Sequence, residues 1–393
     1  MWAILKQAAT ETGILDSLEA VAQAALAEAP SSTSGGSQFA GVAAAAIGQL
    51  SGILERGALR ETMPVVSTAG ELQLPLLAAK LSMLAYTADS DALNREVAEL
   101  VPGARLLSYP SHEQCWFLAR GRPVGSDRDD ALILVFRGTC STHDLELDLL
   151  VAPEAGPKGG LFHGGFLRAV RDDTTLHTAL TENARGSVPL YVFGHSLGGA
   201  LAMTLLHADL LPAAHVGQVT CVALGSPKVS CGPPPQPPRP MRLLLLVNGQ
   251  DAVPRLLGSP MPVLQAATQA LIARGSTGLP SKALLELLAQ FAHPESLEIL
   301  FLTGRRAKRV PADRASREAV LHLTDGLAPW SVKDHAISTY VEALESTIKL
   351  STISPSAPAL GSQPTGWQRA VSDDGHAYFY NERGETRWTR PQA

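Results

Sequence analysis

The sequence predicts an α/β fold, in which a mostly parallel central sheet is flanked by helices, followed by a small three-stranded antiparallel module. Three observations support this prediction. An apolar run at residues 190–193 leads into a Gly-x-Ser-x-Gly motif and then into small and aliphatic residues, the order of a strand, a tight turn and a helix. A second apolar run, at residues 241–247, is typical of a buried parallel strand. From residue 363 onward, short aromatic-rich runs separated by turn residues indicate hairpin-connected strands.

The turn at Ser196 is predicted to expose a nucleophile. Gly194 and Gly198 remove side chains that would block the bend, and Gly198 and Gly199 let the following helix pack close to the strand. The backbone N–H of Leu197 would then point toward a bound carbonyl, where the positive end of the helix favours a developing oxyanion. We therefore expect a serine hydrolase nucleophile. The alternative is an ordinary strand-to-helix connection with a surface serine.

A serine nucleophile needs a base and an orienting carboxylate, which in this class of fold follow in the order acid, then histidine. Asp251 comes just after the apolar run at residues 241–247. Because the carboxyl ends of parallel strands meet at one sheet edge, Asp251 is the expected acid. The alternative is a turn aspartate that caps the next segment.

Three histidines after Asp251 are candidates for the base, since His376 belongs to the C-terminal module. His335 stands in a loop just before an amphipathic run that contains Tyr340, and a histidine there can reach the sheet edge. His322 lies in the strand-like run 319–323 and is expected to be structural. His293 is the third candidate. We expect His335 to be the base.

Several motifs occur in one order over residues 75–350. They are Val135-Phe136-Arg137-Gly138-Thr139, His163-Gly164-Gly165-Phe166, the segment from Gly194 to Ala200, the segment from Leu224 to Val229, the segment from Asn248 to Arg255, and Asp334-His335 with Tyr340. Together they resemble the class 3 lipases, the fungal lipase-like branch of the α/β-hydrolases. The resemblance implies hydrolysis of acyl-lipid esters without a metal or organic cofactor. It further implies that Thr139 is the second oxyanion donor beside Leu197, and that Ser141–Leu150 is in the position of a mobile lid.

Two features depart from the family pattern. The lid position carries acids interleaved with leucines rather than the usual tryptophan. The stretch between Asp251 and His335 is long, and Val263–Ala273 and Ser281–Ala292 are predicted to be inserted amphipathic helices. This insertion, at residues 258–300, either caps the site as a lid or packs on the sheet as core, and the sequence leaves both open.

Composition excludes some function classes and suggests a compartment. The 32 basic and 37 acidic residues give a net charge of −5, which favours no general attraction to nucleic acid or anionic membrane. The four cysteines show no metal-binding spacing, and no signal-peptide pattern stands at the N-terminus. We expect a cytoplasmic protein with possible peripheral contact to a membrane or lipid droplet.

The chain divides into four predicted regions. They are an N-terminal helical extension at 1–70, a hydrolase domain at 71–350, a linker at 351–362 and the C-terminal module at 363–393. The extension is predicted to form two weak helices, Met1–Ala29 and Phe39–Leu54.

The C-terminal module resembles a WW domain over nearly its full length. The resemblance implies that Trp367, Phe379 and Pro391 clamp together. The implied proline-binding groove consists of Tyr378, Tyr380, Thr386 and Trp388. Its partner would be a proline-rich peptide or protein. The chain's own Pro233–Pro240 segment is one candidate, the alternative being an exposed spacer loop. A different function class, an adaptor whose hydrolase fold is an inert platform, is the alternative to an enzyme.

Overall fold

The computed structural model describes residues 56–66, 68–87, 89–109, 115–124, 130–138, 151–232, 234, 240–261, 263–265, 268–269, 280–321, 332–353, 367–371, 377–381 and 386–387. Several predicted features lie outside these residues. They are the N-terminal helices Met1–Ala29 and Phe39–Leu54, Thr139, the lid position Ser141–Leu150, most of Pro233–Pro240, His322, Trp388 and Pro391.

An eight-stranded mixed sheet forms the centre of the fold, in the order β1-β2-β3-β6-β7-β9-β11-β12. Its strands are β1 (Arg105–Ser108), β2 (Trp116–Gly121), β3 (Ala131–Phe136), β6 (Leu190–His195), β7 (Val219–Leu224), β9 (Met241–Asn248), β11 (Glu298–Thr303) and β12 (Arg306–Val310). The five strands from β3 to β11 run parallel, and antiparallel pairs complete both edges. This confirms the α/β class and the mostly parallel centre.

A smaller four-stranded sheet has the order β10-β8-β5-β4. Its strands are β4 (Pro153–Ala155), β5 (Leu161–His163), β8 (Ser230–Cys231) and β10 (Phe291–Ala292). At the C-terminus, β13 (Trp367–Val371), β14 (Ala377–Asn381) and β15 (Thr386–Arg387) form a three-stranded antiparallel sheet.

Ten helices are labelled here within the part of the chain that the structure describes. They are α1 (Ala69–Leu84), α2 (Ser90–Leu100), α3 (Gly164–Arg171), α4 (Thr174–Asn183), α5 (Leu197–His207), α6 (Val253–Leu256), α7 (Lys282–Leu288), α8 (Arg314–Leu321), α9 (Val332–His335) and α10 (Ile337–Ile353). None of the described helices has the length and hydropathy needed to span a bilayer.

The period-2 geometry of the strands divides the core into two layers. In β3, Leu132 and Leu134 face a cluster that includes side chains of α3, α4, α5 and α8. Ile133 and Val135 face the opposite cluster, which includes side chains of α1, α2 and α10. Every residue of β3 is buried because both faces of the sheet are covered. The covered sheet explains why these strands are continuous apolar runs in the sequence.

The region between Asp251 and His335 differs from its sequence-based prediction. A helix forms at α7 as expected, but it ends at Leu288, and Phe291 pairs with Cys231 in the smaller sheet instead of continuing the helix. The prediction that residues 281–292 are one helix is therefore wrong at its C-terminal end. The run 319–321, predicted as strand, is the last turn of α8, because Ala319 and Val320 lie on the buried face of that helix.

The described part of the insertion is core rather than a separate layer over the site. Leu285, Leu288 and Phe291 belong to the same apolar cluster as the side chains of α5. The sequence analysis missed β11 and β12, although the apolar run at residues 299–302 followed closely by the turn residues Gly304-Arg305 is a hairpin signal. β11 extends the parallel sheet by pairing with β9. The strand that leads into residues 249–252, the acid loop that contains Asp251, is therefore not at an edge of the sheet.

The described end of the N-terminal extension packs on the hydrolase domain, and the last helix of that domain runs past its predicted C-terminal boundary. Met63 and Val66 are buried, and Val65 forms a β-bridge with Lys308. At the other end, α10 continues to Ile353, three residues into the segment predicted as linker.

Candidate active site

Ser196 occupies a sharp turn between β6 and α5, which we call the elbow. Its backbone has φ 58° and ψ −125°, a strained conformation for a residue with a side chain. The sheet holds this turn in place, because the Ser196 N–H donates to Leu224 O at 2.9 Å. The predicted strand, tight turn and helix are thus confirmed in geometry.

The glycine nearest the turn on the strand side is required by close backbone contact. A Cβ added to Gly194 would lie 2.3 Å from both the carbonyl carbon and the oxygen of Gly198. Any side chain at residue 194 would therefore force the strand and the helix apart. This contact is the physical reason for a glycine two residues before Ser196.

Ser196, His335 and Asp251 form a continuous hydrogen-bonded line. The Ser196 hydroxyl lies 2.8 Å from His335 Nε2. His335 Nδ1 lies 3.0 Å and 2.9 Å from the two carboxylate oxygens of Asp251. Ser196 and His335 are 3% and 6% exposed, and Asp251 is fully buried. The structure thus brings together the three residues chosen from the sequence, and the arrangement fits a catalytic triad.

Asp251 is held as an anion by the groups around it. Burial alone would raise the pKa of Asp251, but the charge and hydrogen bond of His335 and the hydrogen bonds from Tyr340 and the Val253 N–H outweigh it and lower this pKa. The Tyr340 hydroxyl donates to Asp251 Oδ2 at 2.6 Å. The Val253 N–H donates to Oδ1 at 2.9 Å. The carboxylate therefore stays charged and fixed toward the imidazole.

Gly225, at the end of β7, lies between the strands that carry Ser196 and Asp251. A Cβ there would lie 2.7 Å from Asp251 Oδ2, 2.9 Å from the Tyr340 hydroxyl oxygen and 3.2 Å from His335 Nδ1. Its φ of +57° also favours glycine. The line of hydrogen bonds crosses the end of β7 at this point, which leaves no room for a side chain.

The proposed oxyanion donors are described only in part. Leu197 is the first residue of α5, where a backbone N–H is not used by the helix itself. Gly138 lies beside the elbow, since a Cβ on it would be 3.5 Å from Ser196 Cβ. Thr139 follows Gly138 in the chain but lies outside the described residues.

Two buried basic side chains support the loop that carries Asp251. Arg255 donates from Nε to Val320 O at 2.7 Å and from Nη2 to Gly249 O at 2.6 Å. Lys228 Nζ donates to the carbonyls of Arg255 and Leu257 at 3.3 Å and 2.5 Å. Burial, with the charge of Arg255, lowers the pKa of Lys228 to about 7. Both side chains therefore bond to backbone carbonyls around the acid loop rather than to the carboxylate.

Of the two remaining candidate histidines, His322 lies outside the described residues, and His293 makes no hydrogen bond to Ser196. His293 is buried, and burial with the charge of Lys228 lowers its pKa well below the usual value. His335, not His293, bonds both Ser196 and Asp251. No group of three or more His, Cys, Asp and Glu residues is arranged to hold a metal ion within the described ranges.

The sequence analysis missed the roles of three residues near the triad. Tyr340 was noted for its helical spacing and its place in a motif, but its bond to the acid was not predicted. The side chain of Asn248 donates to the carbonyl of Asp334, next to His335. Gly225 and Asn248 each stand at the carboxyl end of a buried strand, beside the edge where the site lies. That position at the edge is the signal that could have identified both.

Comparison with known proteins gives one family match and several distant structural neighbours. Residues 133–260 match the family described as lipase (class 3). The matched region contains Ser196 and Asp251 and ends before His335. No sequence among the curated proteins matches this chain.

Three solved structures illustrate the neighbours. A triacylglycerol lipase from Penicillium expansum is 16% identical, with a TM-score of 0.44, covering 67% of this chain and 91% of its own. The triacylglyceride lipase of Rhizomucor miehei is 19% identical, with a TM-score of 0.44 and coverages of 70% and 95%. Lipase II from Rhizopus niveus is 19% identical, with a TM-score of 0.41 and coverages of 69% and 95%.

Gly225→Ala tests the steric requirement at the end of β7. We expect ester hydrolysis to fall about 100-fold, because the added methyl displaces Asp251 and His335 by a fraction of an ångström to about 1 Å. Gly186→Ala is the matched control. Its φ is +61°, but no atom lies within 4 Å of the added Cβ, so it should lose some stability and keep its activity. Equal activity in the two purified variants would contradict the steric argument.

His207→Leu tests the cost of burying neutral histidines in the helix that follows the elbow. Burial lowers the pKa of His207 to about 4, and neither ring nitrogen has a partner among the described residues. Between this value and about 6.5 the unfolded chain binds more protons than the folded one, so stability falls as pH falls. One such residue contributes a slope of up to about 1.4 kcal/mol per pH unit.

We expect urea unfolding of His207→Leu to show a shallower loss of stability on acidification than the wild type between about pH 6.5 and pH 4.5. The variant also keeps the buried volume nearly unchanged. Identical pH slopes for the two proteins would show that His207 does not contribute to the acid sensitivity of the fold.

Proposed function

We propose that this chain hydrolyses carboxylic esters of lipids, acylglycerols or related acyl lipids, with Ser196, His335 and Asp251 as its catalytic triad. The match of residues 133–260 to the class 3 lipases and the triad geometry support an ester hydrolase of the lipase type. The observation that carries the proposal is the unbroken line of hydrogen bonds from Ser196 Oγ through His335 to the buried Asp251 carboxylate.

The proposed reaction is acyl transfer in two halves. Ser196 Oγ attacks the ester carbonyl while its proton moves to His335 Nε2. His335 returns that proton to the leaving alcohol, and a water molecule, activated by the same nitrogen, then releases the acid from the acyl-enzyme. Asp251 keeps the Nδ1–H of His335 in place and stabilises the imidazolium that forms in each half.

The proposed oxyanion donors are the backbone N–H of Leu197 and Thr139. Support comes from the place of Leu197 in the first turn of α5 and from the contact of Gly138 with the elbow. Each such donor typically contributes about 2.7–4 kcal/mol to stabilisation of the transition state. No cofactor takes part in these steps.

Ser196→Ala tests the nucleophile. We expect kcat for a short chromogenic ester to fall on the order of 10⁴-fold or more, because the variant lacks the oxygen that is proposed to form the acyl-enzyme. A fluorophosphonate probe should label the wild type and leave the variant unlabelled. Ser226→Ala is the control, since Ser226 is also buried near the elbow, next to Gly199, but its hydroxyl donates to the Pro227 carbonyl among the described residues.

Retained hydrolysis in Ser196→Ala would place the nucleophile elsewhere. An unlabelled and inactive wild type would instead favour the alternative function, an adaptor with an inert hydrolase fold. A panel of monoacylglycerol, diacylglycerol, phospholipid, galactolipid and short soluble esters then identifies the substrate. Hydrolysis of the soluble esters alone would contradict the lipid part of the proposal.

We further propose that the C-terminal module is a WW domain that binds proline-rich ligands, with a groove of Tyr378, Tyr380, Thr386 and Trp388. The antiparallel backbone order of β13, β14 and β15 is compatible with this fold. Aromatic faces of this kind accept a polyproline II helix at low entropic cost. The Pro233–Pro240 segment is the proposed internal ligand.

Titration of the full chain with a peptide of residues 231–241 tests this binding. We expect saturable binding to the wild type, detected by tryptophan fluorescence or NMR, and a large loss in Trp388→Ala. The same peptide with its prolines replaced by alanine is the control. No binding at millimolar peptide, or equal binding by Trp388→Ala, would contradict the proposed groove.

A further inference from the structure

The imidazole of His335 is held from its backbone as well as from its ring. The peptide groups on both sides of the His335 Cα accept hydrogen bonds from side chains elsewhere in the fold. On the C-terminal side, His195 Nε2 donates to the carbonyl of His335 at 2.7 Å. On the N-terminal side, Asn248 Nδ2 donates to the carbonyl of Asp334 at 3.1 Å. Fixing both flanking peptide planes fixes the direction of the Cα–Cβ bond that carries the ring.

The two donors belong to the segments that carry the other two members of the triad. His195 directly precedes Ser196 in the elbow. Asn248 stands three residues before Asp251, and the turn between them is closed by the Asp251 N–H, which donates to Asn248 O at 2.9 Å. Each donor therefore links the backbone of His335 to a different triad partner.

The tautomer of His195 follows from its surroundings. The carbonyl of His335 can only accept, so Nε2 of His195 carries the proton. Burial, with the charge of His335, lowers the pKa of His195 to about 3, which keeps the ring neutral. Its Nδ1 has no partner among the described residues. Among the described residues, the hydrogen bond to the His335 carbonyl is thus the polar contact of this buried ring.

Further contacts strengthen the link on the Asn248 side. Asn248 Nδ2 also lies 3.2 Å from Thr339 Oγ1, and the Gln250 N–H donates to Asp334 Oδ2 at 2.7 Å. The Asn248 N–H donates to the Tyr340 hydroxyl at 3.2 Å, which in turn bonds Asp251. The acid loop and the histidine segment are therefore joined at several points besides the bond between Asp251 and His335.

We propose that His195 and Asn248 are positioning residues, which fix the His335 imidazole from two sides: His195 toward Ser196 and Asn248 toward Asp251. The inference rests on the proposed hydrolase function. Neither residue touches the reacting atoms, so both act on the rate of acyl transfer rather than on substrate binding. A misplacement of about 1 Å in such a site costs about 100-fold in rate.

Paired variants test the His195 link. His195→Leu removes the donor at similar volume, whereas His195→Gln keeps an N–H donor at the reach of Nε2. For hydrolysis of a chromogenic butyrate ester, we expect His195→Leu to lower kcat about 10- to 100-fold with little change in KM. His195→Gln should recover most of the rate. Equal impairment of the two variants would overturn the role of this hydrogen bond.

Asn248→Leu tests the other link, with Asn183→Leu as the matched control. Asn183 Nδ2 also donates to a backbone carbonyl, that of Ala179 at 2.9 Å, at the end of α4. We expect Asn248→Leu to lower kcat by a similar factor. It should also shift the acid limb of the kcat/KM profile to lower pH, because a loosened Asp251 stabilises the imidazolium less. His195→Leu should leave that limb in place, and Asn183→Leu should change neither.

Each rate is normalised to the folded fraction of that protein, which is measured by thermal melting. Asn248→Asp, which keeps the size and loses the donor, replaces Asn248→Leu where the latter does not fold. If the wild type is active and both His195→Leu and Asn248→Leu hydrolyse the ester as fast as Asn183→Leu, this inference alone is overturned. A wild type without hydrolysis, or without labelling of Ser196 by a fluorophosphonate, would overturn the proposed function together with it.

Discussion

The buried carboxylate of Asp251 is the group on which the rest of the site depends. An isolated carboxylate with no exposed surface would be protonated or would destabilise the fold by several kcal/mol. Hydrogen bonds from His335, Tyr340 and the Val253 N–H remove that cost. These donors belong to three different helices, α9, α10 and α6. The fold must therefore bring the segment after β9 and the start of α10 to one point. The same requirement places the imidazole within reach of Ser196.

The parallel sheet makes this convergence possible, and its strand order sets the steric limits. The strand β7 lies between β6, which carries Ser196, and β9, which leads to Asp251. The hydrogen-bonded line crosses the end of β7, so that end must be a glycine with positive φ, Gly225. The elbow has a related constraint, since Gly194 touches the backbone of Gly198. Strain at Ser196 persists because the sheet bond from its N–H to Leu224 and the helix that begins at Leu197 over-determine the turn.

How much of this structure can be predicted from the sequence depends on whether each feature is encoded by neighbouring residues or by residues far apart in the chain. The elbow and the Asp251 strand are local patterns with few alternatives, so Ser196 and Asp251 could be chosen from motif and strand order. His335 required a choice among candidates, and its place before the amphipathic run that becomes α10 decided it. The hydrogen bonds of Tyr340, His195 and Asn248 join residues about 90 to 140 positions apart, and no periodicity encodes them. The strand-like run at 319–321 was misassigned because a short apolar run fits a buried helix turn equally well.

Arg255, a buried cation beside the acid loop, leaves both carboxylate oxygens of Asp251 free to accept hydrogen bonds from other groups. Burial lowers the pKa of Arg255, and the negative charges of Asp251 and Asp334 partly offset this lowering. Its guanidinium nevertheless donates to the carbonyls of Val320 and Gly249 and not to Asp251. A bidentate guanidinium would satisfy both carboxylate oxygens and compete with the imidazole for them. By acting at a distance, Arg255 balances the buried negative charge while the two oxygens remain with His335 and Tyr340. The hydroxyl of Tyr340 occupies the remaining hydrogen-bonding position of the carboxylate without adding a positive charge. In the proposed reaction, the imidazolium of His335 would therefore be the cation in direct contact with Asp251.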